Sequence, residues 1–261
     1  MTDKITTERR GHILMIGLTR ADKRNAFDPD MIAQLAAAYT QLDEDKTLRC
    51  GVLWADGPDF TSGLDMAAIA KQIPKMIIHP LVPRGKIDPW GVNTAPCRKP
   101  IVTAVQGRCY TLGIELMLCN QISVASTDAS FTQFEVGRGL LPFGGGTVRW
   151  QLAVGTHNAN RYLLTGEAFD AYEAHRIGLV QHVVAPEDLV AKAVEIAETI
   201  ARQAPLGVQA ALRNARLAQG FGTDKAIGKI NFELLKLLFS KDLRRGFKAF
   251  KARETAQFEG D

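Results

Sequence analysis

Two glutamates sit in surroundings where a carboxylate is expensive. Glu115 lies within Gly113-Ile-Glu-Leu-Met-Leu-Cys-Asn120, an otherwise apolar stretch with helical character. Glu135 follows the strand-like Phe131-Thr-Gln-Phe134 and precedes Val136-Gly-Arg-Gly-Leu-Leu-Pro142-Phe143-Gly-Gly-Gly146. A carboxylate drawn into apolar surroundings must be paired, hydrogen-bonded or neutralised. The pair therefore reads in one of two ways. Each glutamate forms an ion pair, with Arg138 or Arg149 as partner, or the two move protons as acid and base. Two carboxyls placed close together resist double ionisation, so one proton affinity rises and both an acid and a base are present near neutral pH.

Two glycines stand near the same chemistry. Gly113 is just ahead of Glu115, and Gly63 lies between Phe60-Thr-Ser62 and Leu64-Asp-Met66. Both are turns into helices, where the first backbone N–H groups lack intrahelical partners. Two such groups aimed at one point stabilise a developing oxyanion, helped by the helix dipole. Taken singly, each glycine reads as a plain turn residue.

The elements that must position these residues read as α/β. His12-Ile-Leu-Met-Ile-Gly-Leu18, Cys50-Gly-Val-Leu-Trp-Ala55, Ile101-Val-Thr-Ala-Val105, Ile122-Ser-Val-Ala125 and Leu179-Val-Gln-His-Val-Val184 are strands. Between the first two lies a helix capped by Asp28, with Pro29 in its first turn and Ile32, Leu35, Tyr39 and Leu42 on one face. Asp170 and Glu173 form a capping box, and Gly178 ends that helix. After residue 185 the pattern is all helix, beginning at Pro186, Pro205, Thr223 and Ser240. The amphipathic faces there pack on the chain's own body or on another subunit. Residues 73–100 hold six of the eleven prolines, which forbids regular structure and suggests a binding loop or lid.

Composition excludes other classes. The chain has 261 residues, 46% hydrophobic and 23% charged, as a globular protein does. Its apolar runs are too short to span a membrane, and its start lacks the basic and apolar regions of a signal peptide. Net charge is only +4, with a modest cluster at Lys241, Arg244, Arg245, Lys248 and Lys251, so no nucleic-acid partner is expected. Cys50, Cys97, Cys109 and Cys119 form no CxxC pair. They read as small buried hydrophobes, with no metal site and a reducing cytoplasm. His12, His79, His157, His175 and His182 are dispersed and read as structural or surface residues.

Taken in order, several segments resemble one family. These are Leu18-Thr-Arg-Ala-Asp-Lys-Arg-Asn-Ala26, Phe60-Thr-Ser-Gly-Leu-Asp65, Gln106-Gly-Arg-Cys-Tyr-Thr-Leu-Gly-Ile-Glu-Leu116, Glu135 through Thr147, Leu164-Thr-Gly166 and Ile177-Gly-Leu-Val180. The chain resembles the crotonase superfamily, the enoyl-CoA hydratases and isomerases, over nearly its full length. The resemblance implies a spiral of ββα units over residues 1–195. A helical region over 196–261 would assemble trimers, paired or not into hexamers, and complete the CoA site.

Residue by residue, the resemblance makes Glu115 and Glu135 the catalytic glutamates and places the oxyanion-hole N–H groups at Leu64 and Leu112. It lays Arg24, Ala26, Ser62, Gly63, Asp65, Met66, Gly113, Pro142 and Phe143 along the acyl-CoA, with Lys71 and the C-terminal basic cluster as further phosphate contacts. The implied reaction is hydration of a 2-trans-enoyl-CoA to a 3-hydroxyacyl-CoA, with no metal or redox cofactor.

The chain also departs from the family pattern. Thr111-Leu112-Gly113 replaces a triple glycine, Phe143 a glycine, Gln121 an aspartate and Ala67 a lysine. These changes keep open double-bond isomerisation, decarboxylation or C–C hydrolysis on an acyl-CoA. They also leave room for a binding or assembly member of weak activity.

Overall fold

The computed structural model describes residues 3–70 and 81–261. Lys71, His79, Pro74 and Pro80 fall outside the described residues.

The main sheet has six strands in the order β1-β2-β3-β4-β6-β9. They are β1 (Ile5–Arg10), β2 (Ile13–Leu18), β3 (Cys50–Ala55), β4 (Ile101–Val105), β6 (Ile122–Ser126) and β9 (His182–Val184). Only β1 runs antiparallel to its neighbour, as a hairpin with β2, and the other pairings are parallel. Both faces of this sheet are covered, which is why β2, β3, β4 and β6 read as near-continuous apolar runs.

Leu14, Ile16 and Leu18 point into the larger core, against Met31, Ile32 and Leu35 of α1 (Pro29–Glu44). Ile13 and Met15 point the other way, onto Leu189, Ala193 and Ala197 of α7 (Leu189–Ala201). α1 starts as its sequence indicates: Pro29 opens it and the Asp28 side chain accepts from Met31 N at 2.9 Å.

A second, small sheet holds β5 (Arg108–Tyr110), β7 (Ser130–Thr132) and β8 (Phe169–Asp170). In register, Cys109 pairs with Phe131, Phe131 with Phe169, and Thr61 joins Cys109 through a single bridge. This alignment generates the spiral. β3, Thr61 and α2 (Met66–Ile69) form one turn, and β4, β5 and α3 (Leu112–Cys119) the next. The third turn is β6, β7 and a short 3-10 helix, Glu135–Arg138, followed by α4 (Gly146–Val154) and α5 (Thr156–Thr165).

Several expectations shift in detail. The last strand is confined to His182–Val184, because Gly178, at φ +86°, turns the chain and Leu179 and Val180 are buried beyond α6 (Ala171–Arg176). The capping box is half made. Asp170 accepts from Glu173 N at 2.8 Å, but the Glu173 carboxylate accepts from Tyr162 Oη and Arg176 instead of reaching back. Residues 81–100 run without helix or strand, as their prolines require.

The last quarter comprises α8 (Pro205–Phe221), α9 (Thr223–Leu238) and α10 (Lys241–Ala252). Much of the apolar surface of α9 and α10 is left uncovered by the described residues: Ile227, Ile230, Leu234 and Leu238 stay about half exposed, and Phe239 and Phe250 are 75% and 83% exposed. Two of the five residues of the basic cluster there are paired with acids. Arg245 pairs with Asp242, Glu259 and Asp261, and Lys241 with Asp261.

Candidate active site

Three corresponding points on successive turns of the spiral build the site. Leu64 lies three residues past Thr61 and Leu112 three past Cys109, the two residues that bridge one another. Glu135 lies four past Phe131, which pairs with Cys109. The aligned small sheet therefore delivers all three to one place.

The backbone geometry aims the two N–H groups. Phe27 N donates to Gly63 O at 2.8 Å, and Asp65 N donates to Phe27 O at 2.9 Å. In that parallel bridge the N–H of the intervening Leu64 points away from Phe27. Leu112 is the first residue of α3, so its N–H has no carbonyl one turn back. Gly63 is at φ +92°, and a Cβ there would overlap Thr111 Oγ1. Thr111 itself adopts φ +51°, ψ −115°, a strained conformation for a residue with a side chain.

Neither glutamate is ion-paired to a described residue, so the structural ion-pair reading does not hold. Glu115 is 0% exposed and Glu135 5%. Glu115 Oε1 accepts from Gly146 N at 2.8 Å, and Glu135 Oε1 accepts from Gln133 Nε2 at 2.8 Å. The Oε2 of each is buried without a partner among the described residues. Burial pushes the Glu115 carboxyl up to about 8; the Gly146 amide opposes this and the negative charge of Glu135 adds to it. Burial also raises Glu135, against the Gln133 amide and the charge of Arg138. Burial thus raises the proton affinity of both carboxyls, and the charge of Glu135 raises that of Glu115 further, the kind of perturbation that acid–base sites show.

The expected substrate residues separate into groups. Ser62, Leu64, Met66, Leu112, Glu135 and Phe143 line one small cleft. Leu112 and Phe143 also wall an adjoining cavity of about 180 Å³ with Ile32, Leu81, Val82 and Trp90. Gly63 and Gly113 lie behind this surface, against Thr111 and Thr61. Pro142 is buried against Gly146, and Ala26 is buried with its carbonyl accepting from Arg20. Asp65 caps α2 and binds Arg20 at 2.9 Å, so its carboxylate is engaged. Arg24 is exposed on a left-handed turn, and its carbonyl accepts from Ser62 N.

Three residues of the site were not singled out for these roles by the sequence. Gln133, fully buried, donates to Glu135 and accepts from Trp150 Nε1 at 3.0 Å. Trp90 donates to Leu112 O, and Arg149 binds two backbone carbonyls rather than a glutamate. Among the described residues no cluster of His, Cys, Asp and Glu could hold a metal. The thiols of Cys50 and Cys97 are pushed up to about 12 by burial and are unreactive. Among the described residues no helix is long and apolar enough to cross a membrane.

A spiral of strand–strand–helix turns, with Leu64, Leu112 and Glu135 lining one cleft and Glu115 buried nearby, is a crotonase fold. The sequence profile of the enoyl-CoA hydratase/isomerase family matches residues 8–261, and the chain belongs to that family. It is 31% identical to enoyl-CoA hydratase EchA19 of Mycobacterium tuberculosis, over 97% of this chain and 95% of that one. It is 32% identical to (E)-benzylidenesuccinyl-CoA hydratase of Thauera aromatica, over 98% and 99%. A crystal structure of a probable enoyl-CoA hydratase/isomerase from Mycobacterium abscessus superposes at a TM-score of 0.95, with 46% identity over 99% of each chain.

Proposed function

We propose that this protein is an enoyl-CoA hydratase that adds water across the double bond of a 2-trans-enoyl-CoA. The observation that carries the reading is the pair of buried carboxyls, neither in an ion pair with a described residue. Each accepts from a neutral amide, and the other oxygen of each has no partner among the described residues. The thioester oxygen accepts from Leu64 N–H and Leu112 N–H, which draws electron density from the β-carbon. Water oxygen bonds to that carbon while the carboxylate member of the pair takes the water's proton. The α-carbon, carrying enolate density, receives the proton held by the carboxylic acid member. No redox or metal cofactor enters these steps.

Arg24 and the backbone at Ala26 bind the CoA portion at the mouth of the cleft, and the acyl tail enters the cavity of Trp90 and Phe143. The residues of 1–195 form the catalytic body. The uncovered apolar faces of 196–261 join copies of the chain into a trimer, or a hexamer of paired trimers; light scattering on a sizing column reads that mass directly.

The hydratase test is loss of the conjugated thioester absorbance of crotonoyl-CoA and of longer and branched enoyl-CoAs. Glu115→Gln and Glu135→Gln each lower the rate by about 10²-fold or more. A protein that binds these thioesters without adding water is not a hydratase. Phe143 favours isomerisation as the second reading, because its ring walls the cleft where the attacking water must stand. Product analysis with 3-enoyl-CoA separates the two.

A further inference from the structure

Arg149, on α4, has an unusual set of partners. Its guanidinium bonds no carboxylate among the described residues. Nη1 donates to Gly144 O at 2.9 Å and Nη2 to Gly91 O at 3.2 Å. A Cβ at Gly145, which is at φ +95°, would overlap that guanidinium, so the turn is shaped to admit it.

Each carbonyl leads to one half of the site. Gly144 and Gly146 lie directly against the Glu115 carboxylate, and Gly146 N donates to it at 2.8 Å. Gly91 belongs to the loop of Asp88 and Trp90: Gly91 N donates to Asp88 O at 2.9 Å, and Asp88 Oδ1 accepts from Trp90 N at 2.9 Å. Trp90 Nε1 in turn donates to Leu112 O at 2.9 Å. One planar fork thus spans the turn under the proton-transfer group and the loop that fixes the oxyanion residue. A fork of fixed geometry holds two acceptors at a set separation, which an ammonium on a flexible stem does not.

We propose that Arg149 is a positioning residue. Its guanidinium fixes the Gly144–Gly146 turn beneath Glu115 and locks that turn to the Trp90 loop, so the acid–base group and the oxyanion hole keep one relative placement. The inference rests on Glu115 being an acid–base group of the proposed hydration. The charged groups that face Glu115 are Glu135 on the 3-10 helix and Arg149 on α4, and α3 itself carries no other charge. The cationic charge of Arg149 lowers the proton affinity of Glu115 and partly offsets its burial.

The test separates charge from fork. Arg149→Lys keeps the charge and loses the fork; Arg149→Gln keeps an amide donor and loses the charge. In protein carrying carbon-13 glutamate, the Glu115 resonance is identified by its absence in Glu115→Gln. Its titration midpoint moves up by roughly half a pH unit or more in Arg149→Gln and stays near the parent's in Arg149→Lys. With the substrate the parent turns over, kcat falls roughly tenfold to a hundredfold in both variants. A Glu115 titration unmoved in a folded Arg149→Gln protein, with kcat within twofold of the parent, overturns the proposal. The titration needs no turnover, so failure of the hydratase reading shows in the parent's rate alone.

Discussion

The indole Nε1–H of Trp90 donates to the carbonyl oxygen of Leu112, at 2.9 Å, and the Trp90 ring meets Phe27 edge-on with centroids 5.2 Å apart. The first contact ties an irregular loop to the opening residue of α3. The second ties it to the segment that orients Leu64. Both N–H groups proposed to hold the thioester oxygen are therefore braced from the same side chain. Trp90→Phe keeps most of the apolar contact and removes the donor. We expect a stability loss of about 1 kcal/mol, read by chemical denaturation. We also expect kcat to fall several-fold, because Leu112 is less firmly held. An unchanged kcat would show that α3 fixes Leu112 without this tie.

Gly63 and Thr111 are coupled by space and by strain. Gly63→Ala places a side chain at φ +92° and drives it into Thr111 Oγ1, so two costs add. Thr111→Gly relaxes a residue at φ +51° and removes the obstructing hydroxyl. The single Gly63→Ala change should destabilise by about 2 kcal/mol or more. In the double variant, part of that loss, about 1 kcal/mol, should return as a coupling term. Additive losses would mean that backbone strain alone accounts for the glycine.

Burial of Glu115 has a stability consequence whose sign is opposite to that of a salt-bridged carboxylate. Its folded affinity, about 8, lies above the ordinary 4.5. Below pH 4.5 both states are protonated and the group contributes nothing. Between 4.5 and 8 the unfolded chain releases a proton that the folded chain retains, so stability falls as pH rises. The loss is on the order of 3 kcal/mol by pH 7. Glu115→Gln removes this penalty while its Oε1 still accepts from Gly146 N. The variant should therefore melt above the parent at pH 8, with the gap closing toward pH 5. A constant gap would place the Glu115 affinity in the ordinary range.

How much of this was legible depends on where each residue finds its partner. β2, β3, β4 and β6 are buried on both faces and wrote continuous apolar runs. α1 carried its own cap and proline. β1, Ile5-Thr-Thr-Glu-Arg-Arg10, is an exposed edge whose polar residues hide its alternation. β5 and β7 have three residues each, too few for a period to show, so the second sheet was invisible. α4 begins at a left-handed Gly145 with no side-chain cap, so its start carried no signal. The glutamates stood out because charge in an apolar run is anomalous wherever it falls. Arg149 was visible as a charge near them, yet its partners are backbone carbonyls of Gly91 and Gly144, which no residue type announces. Within the C-terminal basic cluster, Arg245 and Lys241 are met by acids at 242, 259 and 261 of the same chain, pairings that their positions in sequence do not announce.

Gln133 offers the last test, because it stands between Glu135 and Trp150. Its Nε2 donates to Glu135 Oε1 and its Oε1 accepts from Trp150 Nε1, all within the buried interior. The amide favours the ionised form of Glu135 and so works against the effect of burial. Gln133→Leu removes both bonds at nearly constant volume. The indole N–H and the carboxylate oxygen then lose their partners, at a cost of about 2–4 kcal/mol in stability. The Glu135 affinity rises further, since only the opposing contribution has been taken away. A reaction that needs Glu135 ionised then loses rate at a higher pH as acid is added, so the acid limb of kcat/KM moves upward. Gln133→Glu is the complementary probe: a second carboxyl beside Glu135 also raises its affinity, while retaining an acceptor for Trp150. An acid limb that stays in place in both variants would assign it to a group other than Glu135.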